Sequence, residues 1–300
     1  MPSIGVLGPG GVGGFLAAAL ARAGQRVVVI AKPETAEVIN SQGIWVQSVR
    51  LGDFLAHPTA QAELSGPVDF LFVATKATTL QQALERIRQA PRLTVPLLNG
   101  LDHIRTLRAR FGSDRVAAGT IRIEADRPQP GHVTQTSPFL RVELAADDPA
   151  LYPSLRELED VLLRAEVPAE IGPSEAQVMW SKLVRLAPLA LTTSVTERPI
   201  GYIRSDPHWR SVLQAAIAEA AAVANADGAR IDAAALLAEL DGAHPTLSSS
   251  MQRDLAAGRP PELDAIPGSL LRAAHRLGLE CPTIERLVAQ IEQRAGAVSG

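Results

Sequence analysis

Residues 1–172 read as the alternating strands and helices of a parallel α/β fold, and residues 173–300 as helices alone, with the boundary at Gly172-Pro173. Three observations predict this division. The chain begins with a strand, a glycine-rich turn and a helix over Met1–Leu20. Short apolar runs at Arg26–Ile30, Val68–Ala74 and Leu93–Leu98 then recur like buried parallel strands, and everything after Gly172 carries helical periodicity.

The opening turn is the most informative stretch. Ile4–Leu7 is of strand type, Gly8, Gly10 and Gly13 fall in the G-x-G-x-x-G spacing, and Phe15–Ala23 is alanine-rich and helix-permissive. A pyrophosphate must approach such a backbone closely and rest on the N–H groups at the partly positive helix N-terminus. Gly8 allows the sharp turn, Gly10 removes a blocking side chain, and Gly13 lets the helix close on the strand. With Gly11 and Val12 between them they form the candidate cofactor cradle of a Rossmann-type dinucleotide-binding domain.

The following strand ends point to the same edge. Val27–Ile30 ends in Ala31-Lys32, where an acidic residue accepts from a ribose 2′-OH and a basic one pairs with a 2′-phosphate. Lys32, with no carboxylate at the tip, favours NADP over NAD, although Glu34 stands two residues on. Val68–Ala74 delivers Thr75-Lys76-Ala77 and Leu93–Leu98 delivers Asn99-Gly100, so glycine, lysine and asparagine line one expected crevice.

The rest of the first domain follows in order. Gly43–Val49 and Gly52–Leu55 read as a short hairpin or edge segment closed by Pro58, and Thr78–Gln89 as a helix with Leu80, Leu84 and Ile87 on one stripe. Leu101–Phe111 is helical and Val116–Ile123 a strand, while Pro130–Thr134 starts a strand leading on to Leu140–Leu144. Pro153–Ala165 is a helix and Ala169–Ile171 a final edge strand. The helices expected beyond are Ser174–Leu191, Trp209–Ala226, Ala233–Leu240, Thr246–Ala256, Leu263–Leu277 and Thr283–Ala295, with glycines at their stops.

Composition narrows the function classes. The 29 Lys and Arg are balanced by 32 Asp and Glu, for a net charge of −3, and form no basic block, so no nucleic-acid partner is expected. Cys281 is the single cysteine, which excludes an internal disulfide, and the six histidines show no paired ligand spacing, so no metal site is expected. Met1 leads directly into the first strand and the longest apolar runs fall far below membrane-spanning length; a cytoplasmic protein without membrane contact is the expectation. The apolar helical half offers a surface for a homodimer, which no residue pattern demands.

Six stations in order resemble the ketopantoate reductases (2-dehydropantoate 2-reductases). They are Gly8-x-Gly10-x-x-Gly13, Lys76, Asn99-Gly100, Trp180-x-Lys182-Leu183, Ser249-Ser250-Met251-Gln252-x-Asp254 and Glu262-x-Asp264-x-Ile266-x-Gly268. The resemblance spans nearly the whole chain. It implies a Rossmann domain followed by an all-α C-terminal domain, NADPH as cofactor, a small 2-oxo acid substrate reduced to a 2-hydroxy acid, and a place in pantothenate biosynthesis. Lys32, Lys76 and Asn99 would then join the glycines on the cofactor, Lys182 and Glu262 would be catalytic, and Ser250 and Asp254 would bind substrate.

Chemistry agrees with those roles. Hydride delivery to a ketone leaves negative charge on oxygen, so a proton donor must face it, and Lys182 stands mid-helix among Val178, Met179, Leu183 and Leu186 with Glu262 as the group to orient its ammonium. One departure bears on the substrate. Where the family carries asparagines one and two turns after the lysine, this chain has Leu186 and Ala190, with Pro188 between them. Replacing two amides by apolar groups suits a paralogue acting on a more apolar ketone or imine; a non-catalytic NADPH-binding sensor is a further alternative.

Overall fold

The computed structural model describes the backbone of residues 1–298 and the side chains of residues 1–294. The chain packs as two compact units, one of Met1–Leu98 with His103–Val178, the other of Asn99–Asp102 with the residues from Met179 onward.

The first unit contains β1 (Ser3–Leu7), α1 (Gly11–Arg22), β2 (Arg26–Ile30), α2 (Pro33–Gln42), β3 (Ile44–Ser48), β4 (Phe54–Ala56), β5 (Thr59–Gln61), β6 (Phe70–Val73), α3 (Leu80–Leu84), β7 (Leu93–Pro96) and α4 (His103–Phe111). It continues through β8 (Ala118–Arg122), β9 (Ala125–Gln129), β10 (His132–Gln135), β11 (Arg141–Ala145), α5 (Tyr152–Arg164) and β12 (Ala169–Ile171). Its main sheet is parallel, in the order β5-β2-β1-β6-β7. Successive residues point to opposite faces, so Ile4, Val6, Phe70 and Phe72 enter one buried cluster while Leu7, Leu71 and Val73 enter the other. Leu7 lies level with Ile30 on one side and Val73 on the other, which brings Gly8, Lys32 and Lys76 out at one edge of the sheet. Two smaller sheets, β4-β3-β10-β9 and β12-β11-β8, complete the unit among the described residues.

Three sequence expectations change here. The helix expected over Thr78–Gln89 is a single 3₁₀ turn at Ala77–Thr79 followed only by Leu80–Leu84. Ile87 leaves the helix because its neighbours bond to Leu64: the Leu64 N–H donates to the Arg86 carbonyl (2.8 Å) and the Arg88 N–H to the Leu64 carbonyl (3.0 Å). The strand expected to run from Pro130 to Leu144 is two strands, β10 and β11, in different sheets. Pro138 lies between them with no N–H to give a ladder, and the Gln135 side chain folds back onto the Ser137 carbonyl. Third, Arg26–Ile30 and the hairpin are separated by an unanticipated helix, α2, entered at Pro33 and left at Gly43, whose φ is +78°.

The second unit contains α6 (Glu175–Thr196), α7 (Ile200–Ser205), α8 (Pro207–Ala226), α9 (Ala233–Asp241), α10 (Ser250–Ala256), a π turn (Asp264–Gly268), α11 (Ser269–Leu277) and α12 (Pro282–Val298). Leu189, Ile203, Leu213, Ile217 and Leu240 form part of its core. Helix α6 starts before the unit boundary and runs on through Pro188; beyond it the hydroxyls of Thr192, Thr193 and Thr196 donate to the carbonyls four residues back. Trp180, 1% exposed, donates from its indole N–H to Asp227 Oδ2 at 3.0 Å and so fixes the rotational setting of this helix. Among the described residues no helix is long and apolar enough to cross a membrane.

Cys281 is buried, and burial first, with Glu219 and Glu285 adding to it, pushes its thiol from 9.0 to about 11. The protonated thiol is therefore the form favoured by folding. Its contribution is complete below about pH 9 and is lost as pH rises towards about 11. A thiol reagent at about pH 8 is expected to find no reactive group in the native protein and one equivalent after denaturation.

Candidate functional site

The first group of candidate residues is the glycine turn. Gly8 takes φ +89°, and a Cβ there would lie 2.7 Å from the Thr75 side chain. Gly13 packs still closer, since a Cβ would lie 2.2 Å from the Gly8 carbonyl oxygen. Gly10 is different: a Cβ there would meet nothing within 4 Å. Gly10 caps α1 without a side-chain acceptor, the first turn holds no acidic residue, and the first closed helical bond runs from the Gly14 N–H to the Gly10 carbonyl at 2.8 Å. The N–H groups of Gly11, Val12 and Gly13 precede that bond, so the helix offers donors beside open space. An anionic pyrophosphate fits that arrangement.

Gly11 serves packing in addition. A Cβ there would fall 2.0 Å from the Ala125 carbonyl oxygen, so the glycine lets β9 cross the start of α1. Val12 is half-buried at the margin of the apolar core. Lys32 is exposed at the end of β2 and stands as N-cap of α2. Lys76 is exposed after β6 and precedes the 3₁₀ turn.

A second group of candidate residues lies in the other unit. Lys182 is half-buried on α6, with Trp180 and Leu183 buried on either side of it in sequence. Arg185 and Leu186, three and four residues on, are half-buried along the same strip, and Arg185 pairs with Glu239 at 2.8 Å. Ala190 is wholly buried, so of the two apolar replacements only Leu186 keeps any exposure.

The serine cluster divides its labour. Ser249, not Ser250, caps α10: its Oγ accepts from the Gln252 N–H at 3.0 Å and shares a hydrogen bond with Thr193 Oγ1 at 3.0 Å. Ser250, the residue assigned to substrate, is exposed at the first helical position. Asp254 is 8% exposed and takes the Arg259 Nε at 2.7 Å.

Asn99 and Glu262 are brought together. The Asn99 Nδ2 donates to Glu262 Oε2 at 3.1 Å, so a residue read as a cofactor contact and one read as catalytic share a hydrogen bond. The sequence reading sets Glu262 to orient Lys182, and nothing in the local sequence signals the amide that Glu262 meets here.

The family model described as "Ketopantoate reductase PanE/ApbA" matches residues 4–146, and its C-terminal companion matches residues 176–295. The chain is an oxidoreductase of the ketopantoate reductase family. A 2-dehydropantoate 2-reductase of Caulobacter vibrioides is 28% identical over 98% of this chain and 100% of its own. The crystal structure of 2-dehydropantoate 2-reductase from Geobacter metallireducens GS-15 superposes with a TM-score of 0.88, 25% identity and coverage of 97% and 99%. The ternary structure of D-mandelate dehydrogenase with NADH and anilino(oxo)acetate reaches 0.89 over 99% of both chains at 18% identity, a likeness of fold. The expected architecture of the family, a Rossmann-type domain followed by an all-α domain, is the one found.

Proposed function

We propose that the protein reduces a 2-oxo acid to the 2-hydroxy acid with NADPH, in the ketopantoate-to-pantoate manner, with Lys182 as proton donor. The observation that carries this reading is the acid-free, uncapped N-terminus of α1 beside open space at Gly10, in a chain that matches the family across both units. Gly8, Gly10, Gly11, Val12 and Gly13 hold the pyrophosphate, with Lys76 and Asn99 as further contacts. Lys32, exposed at the tip of β2 with no carboxylate at that position, favours the 2′-phosphate of NADP over the free ribose of NAD.

When bound, NADPH supplies the hydride. Lys182 supplies the proton: negative charge grows on the substrate oxygen, and an ammonium on a rigid helix stabilises it and then donates. Ser250 and Asp254 contribute polar contacts to the substrate. Turnover of ketopantoate would place the enzyme in pantothenate biosynthesis.

Leu186 and Ala190 favour a second reading, in which the acid carries an apolar group in place of the ketopantoate hydroxyl. A hydroxyl buried against Leu186 without a partner would cost about 1–3 kcal/mol. The D-mandelate dehydrogenase of like fold, whose ternary complex holds the aryl-bearing anilino(oxo)acetate, supports that reading. Oxidation of NADPH and NADH measured against ketopantoate and a panel of alkyl and aryl 2-oxo acids tests both. NADPH is the expected cofactor. Efficient use of ketopantoate ends the second reading, and turnover confined to apolar acids ends the first. Tight NADPH binding with no turnover of any carbonyl leaves only a sensor.

A further inference from the structure

The segment Asn99–Asp102 follows β7 in the chain yet packs in the helical unit, and its anchorage there is built residue by residue. At Gly100, φ is +87° and a Cβ would lie 2.0 Å from the Ala265 carbonyl oxygen, so the segment lies flat against the π turn and only glycine permits it. The π turn has its own cause. Pro267 has no N–H to give the Leu263 carbonyl, and the Gly268 N–H takes that acceptor at 2.8 Å, one residue later than in an α-helix.

Arg272, one turn further on, closes the assembly. Its Nε and Nη2 donate to Asp102 Oδ2 at 2.9 and 2.6 Å, Nη1 donates to Asp264 Oδ1 at 2.7 Å, and Nη2 also donates to the Asp264 carbonyl at 2.8 Å. Single exposed ion pairs carry little, but one planar guanidinium holding two chain segments by four bonds fixes their geometry. The segment so held is the one that bears Asn99.

The Asn99–Glu262 bond also has a direction. A carboxylate offers acceptors only, so the amide must turn its NH₂ towards Glu262 and leave Oδ1 as the acceptor for a ligand. We propose that Arg272 is a positioning residue which, by clamping Asp102 and Asp264, holds Asn99 against Glu262 with Oδ1 presented to an N–H donor of the bound cofactor. This rests on the assignment of Asn99 to the cofactor.

A double-mutant cycle read by NADPH fluorescence titration tests it, independently of turnover. Asn99→Ala is expected to weaken NADPH binding roughly tenfold and Arg272→Met roughly fivefold, while the double variant stays within about twofold of Asn99→Ala alone, because Arg272 has nothing left to position. A double variant weakened by the product of the two effects, or an Arg272→Met protein that binds NADPH like the wild type, overturns the proposal and leaves the cofactor reading standing. An Asn99→Ala protein with wild-type affinity overturns both. Asp102→Ala, which removes one arm of the clamp and leaves α11 intact, is carried through the same cycle with the same criteria, so a folding defect in Arg272→Met does not decide the matter.

Discussion

Replacing Lys182 by alanine is expected to lower kcat by roughly 10²- to 10⁴-fold, the range for losing a positioned general acid, while NADPH affinity stays within about twofold. The structure makes this substitution clean. Alanine is the best helix former, Lys182 is only half-buried, and the setting of α6 is held by Trp180 on Asp227, two residues away. Helix and core should therefore survive, and the melting temperature should show it. Steady-state kinetics with the best 2-oxo acid, beside a fluorescence titration of NADPH, separates the two effects. An unchanged kcat would remove Lys182 from proton transfer, and a parallel loss of NADPH affinity would move it to the cofactor.

The second large effect is a contrast between two glycines three residues apart. Gly10→Ala should fold, since the new methyl meets nothing within 4 Å, yet NADPH affinity should fall by roughly 10- to 100-fold because that methyl stands in the space beside the helix donors. Gly13→Ala should be destabilised outright. Its Cβ would sit 2.2 Å from the backbone oxygen of Gly8, which no rotamer change relieves, and forced overpacking of this kind costs about 1–3 kcal/mol or more. Thermal melts and NADPH titrations on both variants check the contrast. If Gly10→Ala binds NADPH as the wild type does, the turn is a packing device and not a phosphate cradle.

Much of this was legible in the residues alone, because period and punctuation are local. The strand–glycine–helix opening, the parallel strands and the helical second half follow from apolar spacing and glycine stops. What escaped is instructive. Helix α2 carries its signals at the ends, Pro33 going in and Gly43 coming out, with few apolar residues between. β5 and β9 are held by the strands beside them rather than by any apolar run of their own. Ile87 fits the stripe of Leu80 and Leu84 and is buried with them, so its burial was readable but not the bridge to Leu64 that ends the helix. At the site, residue types were legible and pairings were not. Ser249 and Ser250 are equivalent as letters, and only the backbone decides which one caps. The Asn99–Glu262 bond joins residues 163 positions apart, and no local pattern encodes such a distance.

Because Asn99–Asp102 packs with the helices, the polypeptide passes between the two units at Leu98/Asn99, at Asp102/His103 and at Val178/Met179. The halves are therefore not interchangeable modules in the way a single linker would make them. A fragment ended at Gly172 would carry Gly100 without the π turn it lies on and Asp102 without Arg272. A chimera joining this nucleotide-binding half to a relative's helices would have to import Asn99–Asp102 and Glu262–Arg272 as one heritable block.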